Sequence, residues 1–118
     1  MSYLDRRSLI MKFAAAFVVT NFNKGLNLQA KEEFKPKNHL VEIKRLKFTV
    51  KELEVQIGDS VTWTNLDIAP HTATAIDKSW DTGNLKRGES VTLMITEGFS
   101  TNYYCSFHPH MKASLKII

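Results

Sequence analysis

With one cysteine in 118 residues, the chain cannot close an intrachain disulfide, which excludes a disulfide-stapled miniprotein. It has no internal repeat and no low-complexity tract. Its longest apolar run, residues 13–19, is seven residues long, far short of the roughly 20 that cross a bilayer as a helix. No transmembrane span is therefore expected in a mature form. The body of the chain also lacks a strong excess of one charge. Of the formal +4, a surplus of three comes from Arg6, Arg7, Lys12 and Lys24 against Asp5, which leaves 12 basic and 11 acidic residues in positions 31–118. A near-neutral body argues against a phosphate-binding surface, so no nucleic-acid partner is expected. At this length, with 43% hydrophobic and 24% charged residues, the chain holds one ordinary domain with a modest core.

The uneven charge falls on a segment that reads as an address label. Arg6-Arg7 precedes the apolar run, and the stretch closes near Leu28-Gln29-Ala30. We expect residues 1–30 to be an export signal, by a twin-arginine or a general secretory route, and the protein to be periplasmic or otherwise exported. A short amphipathic N-terminal helix is the plainer alternative. Residues 31–39 show no period and are expected to be a flexible lead-in to a domain over 40–118.

From Leu40 onwards the apolar period is two. Leu53, Val55 and Ile57 alternate with Glu52, Glu54 and Gln56, and the same beat recurs over residues 61–64, 91–95 and 115–117. Turn signals separate these runs at Gly58-Asp59, residues 81–84, residues 86–89 and Glu97-Gly98. Short strands between such turns predict an all-β, antiparallel two-sheet sandwich. Val41 and Ile43 fall on odd positions whereas Leu46, Phe48 and Val50 fall on even ones, which predicts a bulge or bend near Lys44-Arg45. Trp63 is expected in the core. Asn65, at a strand end, is either a turn residue or a brace for neighbouring loops.

The chemistry concentrates in residues 103–111, Tyr-Tyr-Cys-Ser-Phe-His-Pro-His-Met. Cys105, His108 and Met111 are each separated by two residues, so a tight loop can turn a thiolate, an imidazole and a thioether towards one point. Singly, each is most simply a core or surface residue. As a set they are soft donors that favour copper, and His71, after the Trp63 strand, supplies a fourth. His39, in the lead-in, and His110, between two ligand positions, are left out of this set.

At these residues the chain resembles a cupredoxin of the plastocyanin and amicyanin type. The resemblance rests on residues 58–65, Pro70-His71-Thr72, Gly88-Glu89-Ser90 and residues 104–111, and the short gap before Met111 is closest to amicyanin. It implies a Greek-key sandwich with one type 1 copper ion held by His71, Cys105, His108 and an axial Met111. Two positions depart from the amicyanin pattern: Thr72 stands where an asparagine braces the ligand loop, and His110 replaces an apolar aromatic residue.

The resemblance implies a monomeric carrier of single electrons rather than an enzyme. His108 would be the electron port, and Ala69, Pro70, Phe107 and Pro109 an apolar patch for transient docking of a donor and an acceptor such as a dehydrogenase or cytochrome. An oxidase fragment fits poorly, since Tyr104 and Ser106 rather than histidines flank Cys105. A copper-storage or delivery protein is the alternative. Such proteins need several Met or His sites, whereas the methionines here are Met1, Met11, Met94 and Met111, two of them in the expected signal.

Overall fold

A computed structural model describes residues 33–118; the export signal expected over residues 1–30 lies outside the described residues. Within the unit Pro36–Ile118 the elements are all strands: β1 (Asn38–Lys44), β2 (Lys47–Phe48), β3 (Glu52–Val55), β4 (Ser60–Asn65), β5 (Thr74–Ala75), β6 (Ser90–Met94), β7 (Asn102–Tyr104) and β8 (Lys112–Ile117). They form two four-stranded sheets, ordered β2-β1-β4-β6 and β3-β8-β7-β5. The expected all-β sandwich is present. Its sheets are mixed rather than antiparallel, because β1 pairs with β4 and β3 with β8 in parallel. Both parallel pairs are long-range crossovers, and alternation within a strand reports its faces but not its neighbour's direction.

Strand β4 shows how the pattern builds the core. Val61, Trp63 and Asn65 point inward and are buried, while Thr62 and Thr64 face outward and bond across the strand pair to Thr92 (2.6 Å) and Ser90 (2.7 Å). Trp63 lies at the centre, as expected, with ring centroids 5.2 Å from Trp80 and 5.6 Å from Tyr103. Trp80 stacks on Phe99 at 5.0 Å, and Phe48 meets Tyr103 edge-on at 4.9 Å, so aromatic contacts tie the two sheets together. Burial pushes the Tyr103 phenol up to about 12. In the run after β3 the pattern fails at Ile57, which is 41% exposed where the strand has already given way to the Gly58 turn.

The phase change in the first strand is a hairpin. Ile43 pairs with Phe48 and Lys44 with Lys47, leaving Arg45 and Leu46 as a two-residue loop with φ of 57° and 60°. Positive φ at both central residues is what such a tight turn demands, and Asn-Gly satisfies it most easily. Arg-Leu does not, so the turn needs outside support.

β1 begins at Asn38, so the irregular stretch 31–39 ends earlier than its sequence suggests. Asp59 explains the difference: its buried carboxylate accepts Lys37 N–H (2.9 Å), Gln56 N–H (2.9 Å) and His39 Nε2–H (2.9 Å). Burial pushes this carboxyl up, but His39 and the two backbone donors override it and hold it down at about 2. His39, set aside as a lead-in residue, is part of β1 and of this anchor.

Candidate metal centre

Two segments at the ends of inner strands converge. The first follows β4, where Asn65 is fully buried and spends its side chain on the loop beyond it. Its amide donates to Ala69 C=O (2.9 Å) and Leu85 C=O (2.8 Å), and its Oδ1 accepts Asp67 N–H (2.8 Å). Asn65 is therefore a loop brace. His71 then bridges Leu85 through a reciprocal pair of backbone bonds of 3.1 and 2.8 Å, and its ring is fully buried.

The second segment follows β7. His108 N–H bonds Cys105 C=O (3.1 Å), Met111 N–H bonds His108 C=O (2.8 Å), and Cys105 N–H bonds Met111 C=O (3.0 Å). Two consecutive four-residue turns, sharing His108 and closed by a third bond, give the two-residue gaps in the sequence their physical meaning. Each turn returns the chain to the same side, so Cys105, His108 and Met111 come round together.

The convergence is close. Cys105 Sγ lies 3.6 Å from His71 Nδ1 and 3.6 Å from His108 Nδ1, and the three ligand atoms all fall within 4.8 Å of one another. Met111 is buried beside them in the same loop. Metal–sulfur and metal–nitrogen bonds of about 2.3 and 2.0 Å, meeting at roughly 110–120°, place sulfur and nitrogen about 3.5–3.7 Å apart. The observed spacing fits one shared ion. His110 stays outside the group: its ring is 6.3 Å from that of His108 and exposed.

Behind the ligands stands a residue that sequence reading passed over. Asp67 accepts His71 Nε2–H (2.8 Å), which fixes the tautomer and leaves the Nδ1 lone pair facing Cys105. The same carboxylate accepts Arg45 N–H (2.7 Å) and Leu46 N–H (2.9 Å), the two backbone donors of the hairpin that needs support. Burial pushes the Asp67 carboxyl up, and donation from Leu46, Arg45 and His71 overrides it, so it stays ionised below the ordinary carboxylate range. The four-residue spacing Asp67–His71 was the only signal in the sequence.

Thr72 replaces the missing asparagine brace with a hydroxyl network. Thr72 Oγ1 accepts Ser106 N–H (2.9 Å) and meets Ser106 Oγ (3.1 Å) and Thr74 Oγ1 (2.8 Å), and Thr74 donates to Asp81 (3.1 Å). The two ligand loops are thus stitched directly to each other. Thr72 N–H also donates to Cys105 Sγ (3.4 Å), a further backbone tie between the two ligand loops.

The fold and this donor set define a class: a β-sandwich with a His-Cys-His cluster and a methionine closing the same short loop, fitted to a type 1 copper ion. The chain belongs to the copper-binding plastocyanin/azurin family, whose pattern matches residues 35–118. Within it, amicyanin from Paracoccus denitrificans is 28% identical over 83 residues, covering 66% of this chain and 63% of that protein. Our chain thus spans less than two thirds of that relative's length. Amicyanin-alpha from Methylorubrum extorquens is 25% identical over 115 residues, covering 91% of this chain and 97% of that protein. Among solved structures, a reduced Cu(I) amicyanin variant at pH 4 superposes with a TM-score of 0.61 at 27% identity, covering 68% of this chain and 81% of that one. A purple cupredoxin from Nitrosopumilus maritimus gives 0.62 at 26% identity, covering 68% and 99%. The sequence resemblance to an amicyanin-type cupredoxin holds, with copper as the cofactor.

Proposed function

We propose that His71, Cys105, His108 and Met111 hold one type 1 copper ion and that the protein carries single electrons between redox partners. The observation that carries this reading is the placement of Cys105 Sγ at 3.6 Å from both imidazole Nδ1 atoms. Copper bound there supplies a one-electron Cu(I)/Cu(II) couple. The chain's own residues keep the donors still: Asp67 holds the His71 proton, Asn65 locks the loop beneath it, and Thr72 ties that loop to Ser106. Donors fixed by their surroundings have little to rearrange when charge changes, which suits carriage rather than turnover. We therefore read the protein as a carrier and not an enzyme.

His108, half-buried, is the port to the surface. Phe107, 50% exposed, and Pro109 flank it in the chain, while Ile68, 83% exposed, Ala69 and Pro70 lead into His71, whose ring lies 4.8 Å from that of His108. Such an apolar rim suits brief contact between a monomer and a donor or acceptor of the dehydrogenase or cytochrome kind. In this reading residues 1–30 direct export to the periplasm, the residues between them and β1 lead in, and the sandwich from Asn38 onward carries the site. No helix among the described residues is long and apolar enough to cross a membrane.

Electrochemistry of the copper-loaded protein tests the reading. A reversible one-electron wave that survives repeated cycling is expected. Release of copper on reduction would instead identify a storage or delivery protein.

A further inference from the structure

A groove of about 810 Å³ runs beside the site, between the β1–β2 hairpin and the start of β8. Phe48 and Met111, both buried, lie at its base, so the expected axial ligand is one of its walls. Its rim carries Lys44, Arg45, Lys47, Lys51 and Lys112, all exposed, and no acidic residue lines it. Positions 31–118 hold 12 basic and 11 acidic residues, so gathering five cations around one groove is a strong local separation of charge in a nearly neutral body. The nearest compensation is slight. Glu42 sits 3.7 Å from Lys44 Nζ with both side chains exposed, and Asp67 bonds the backbone of Arg45 and Leu46.

The arrangement works against the fold. Lys44 and Lys47 are direct cross-strand partners, with Arg45 in the strained turn between them, and like charges placed opposite each other destabilise a strand pair. A hairpin selected for stability alone would not concentrate cations there.

We propose that this basic groove is the docking surface for an acidic redox protein, whose carboxylates span the hairpin and Lys112 while its redox centre faces the ligand loop. The proposal rests on the electron-carrier reading and names the charge class of the partner. Charge complementarity commits the groove to an acidic protein face, and the Met111 wall and neighbouring His110 put that face next to the ligand loop. Electrostatic attraction of this kind acts mainly on the rate of encounter and fades with salt.

The test compares the copper-loaded protein with Lys47→Glu/Lys112→Glu and with Lys86→Glu/Lys116→Glu, an equal charge change outside the groove. Each oxidised protein is reduced in a stopped-flow instrument by the hydroquinone form of an acidic flavodoxin, and separately by neutral hydroquinone. The groove variant should keep its colour and its hydroquinone rate but lose about tenfold in its rate with flavodoxin at low ionic strength, against a loss of about twofold or less in the control. The difference should vanish near 1 M salt, where the Debye length is about 3 Å. Equal losses in the two variants, or none, would overturn the groove as the docking surface. Failure of all three proteins to accept an electron from hydroquinone would instead overturn the carrier reading. Sedimentation with phosphatidylglycerol vesicles supplies the remaining arm: groove-dependent vesicle binding, with an unchanged flavodoxin rate, would assign the groove to a membrane and refute a protein partner.

Discussion

Replacing Asp67 by Asn should raise the reduction potential and loosen the β1–β2 hairpin together, because one carboxylate serves both. A metal ion on His71 Nδ1 would stand roughly 6–7 Å from the carboxylate, reckoned from a metal–nitrogen bond of about 2 Å, the width of the ring and the 2.8 Å bond to Asp67. At an effective dielectric constant of about 20, one charge at that distance is worth about 2.4 kcal/mol, or on the order of 100 mV. The sign follows from charge: removing an anion disfavours Cu(II) more than Cu(I), so the potential goes up. Copper affinity should fall about 10- to 100-fold with the loss of this outer partner. The hairpin loses an ionised acceptor on two backbone donors at positive φ, a cost of about 2–3 kcal/mol in unfolding free energy. Voltammetry and denaturant unfolding read the two effects separately. In an Arg45→Asn/Leu46→Gly background the turn suits its backbone unaided, so adding Asp67→Asn should shift the potential by the same amount with little loss of stability. A potential that stays within about 20 mV in both backgrounds, well below the shift worked from Coulomb's law, would refute the claim that Asp67 tunes the site.

Met111→Leu should keep copper and raise the potential, since losing a weak axial thioether disfavours Cu(II); voltammetry showing a lower potential, or complete loss of the metal, would contradict that role. Trp63→Ala removes the side chain at the centre of the aromatic cluster and should cost about 3–5 kcal/mol in urea unfolding. Acid should weaken the Asp59 anchor in a defined window. Its folded pKa of about 2 lies below the model-peptide value of 3.8, so its stabilisation is complete above that value and lost as pH falls through about 2. Asp59→Asn should therefore be less stable than wild type at pH 6, by up to about 2 kcal/mol, and the gap should close near pH 2.

Much of this site was legible because its logic is local. The gaps Cys105–His108–Met111 are turns of the backbone itself, so the convergence of these three residues, proposed here as ligands, could be read from their spacing. The alternation in β4 likewise announced Trp63 as an inward residue, whereas Asn65, one position past that run, showed its bracing role only in the structure. What stayed hidden depends on chain segments that meet only after folding. The parallel pairing of β1 with β4 is set by crossovers, and Asp67 gains its role by meeting a hairpin more than 20 residues upstream. His39 looked like part of a loose lead-in because its partner, Asp59, lies 20 positions away. The basic groove was invisible for a similar reason. A near-neutral total conceals how five cations from two distant segments are brought to one side.

If one copper ion is held through Cys105, titration of the metal-free protein with Cu(II) must show it in the visible spectrum. An intense visible band should grow, saturate at one equivalent and disappear in Cys105→Ser, while the backbone circular dichroism is kept. A colourless complex, saturation at several equivalents, or a band unchanged in Cys105→Ser would contradict it.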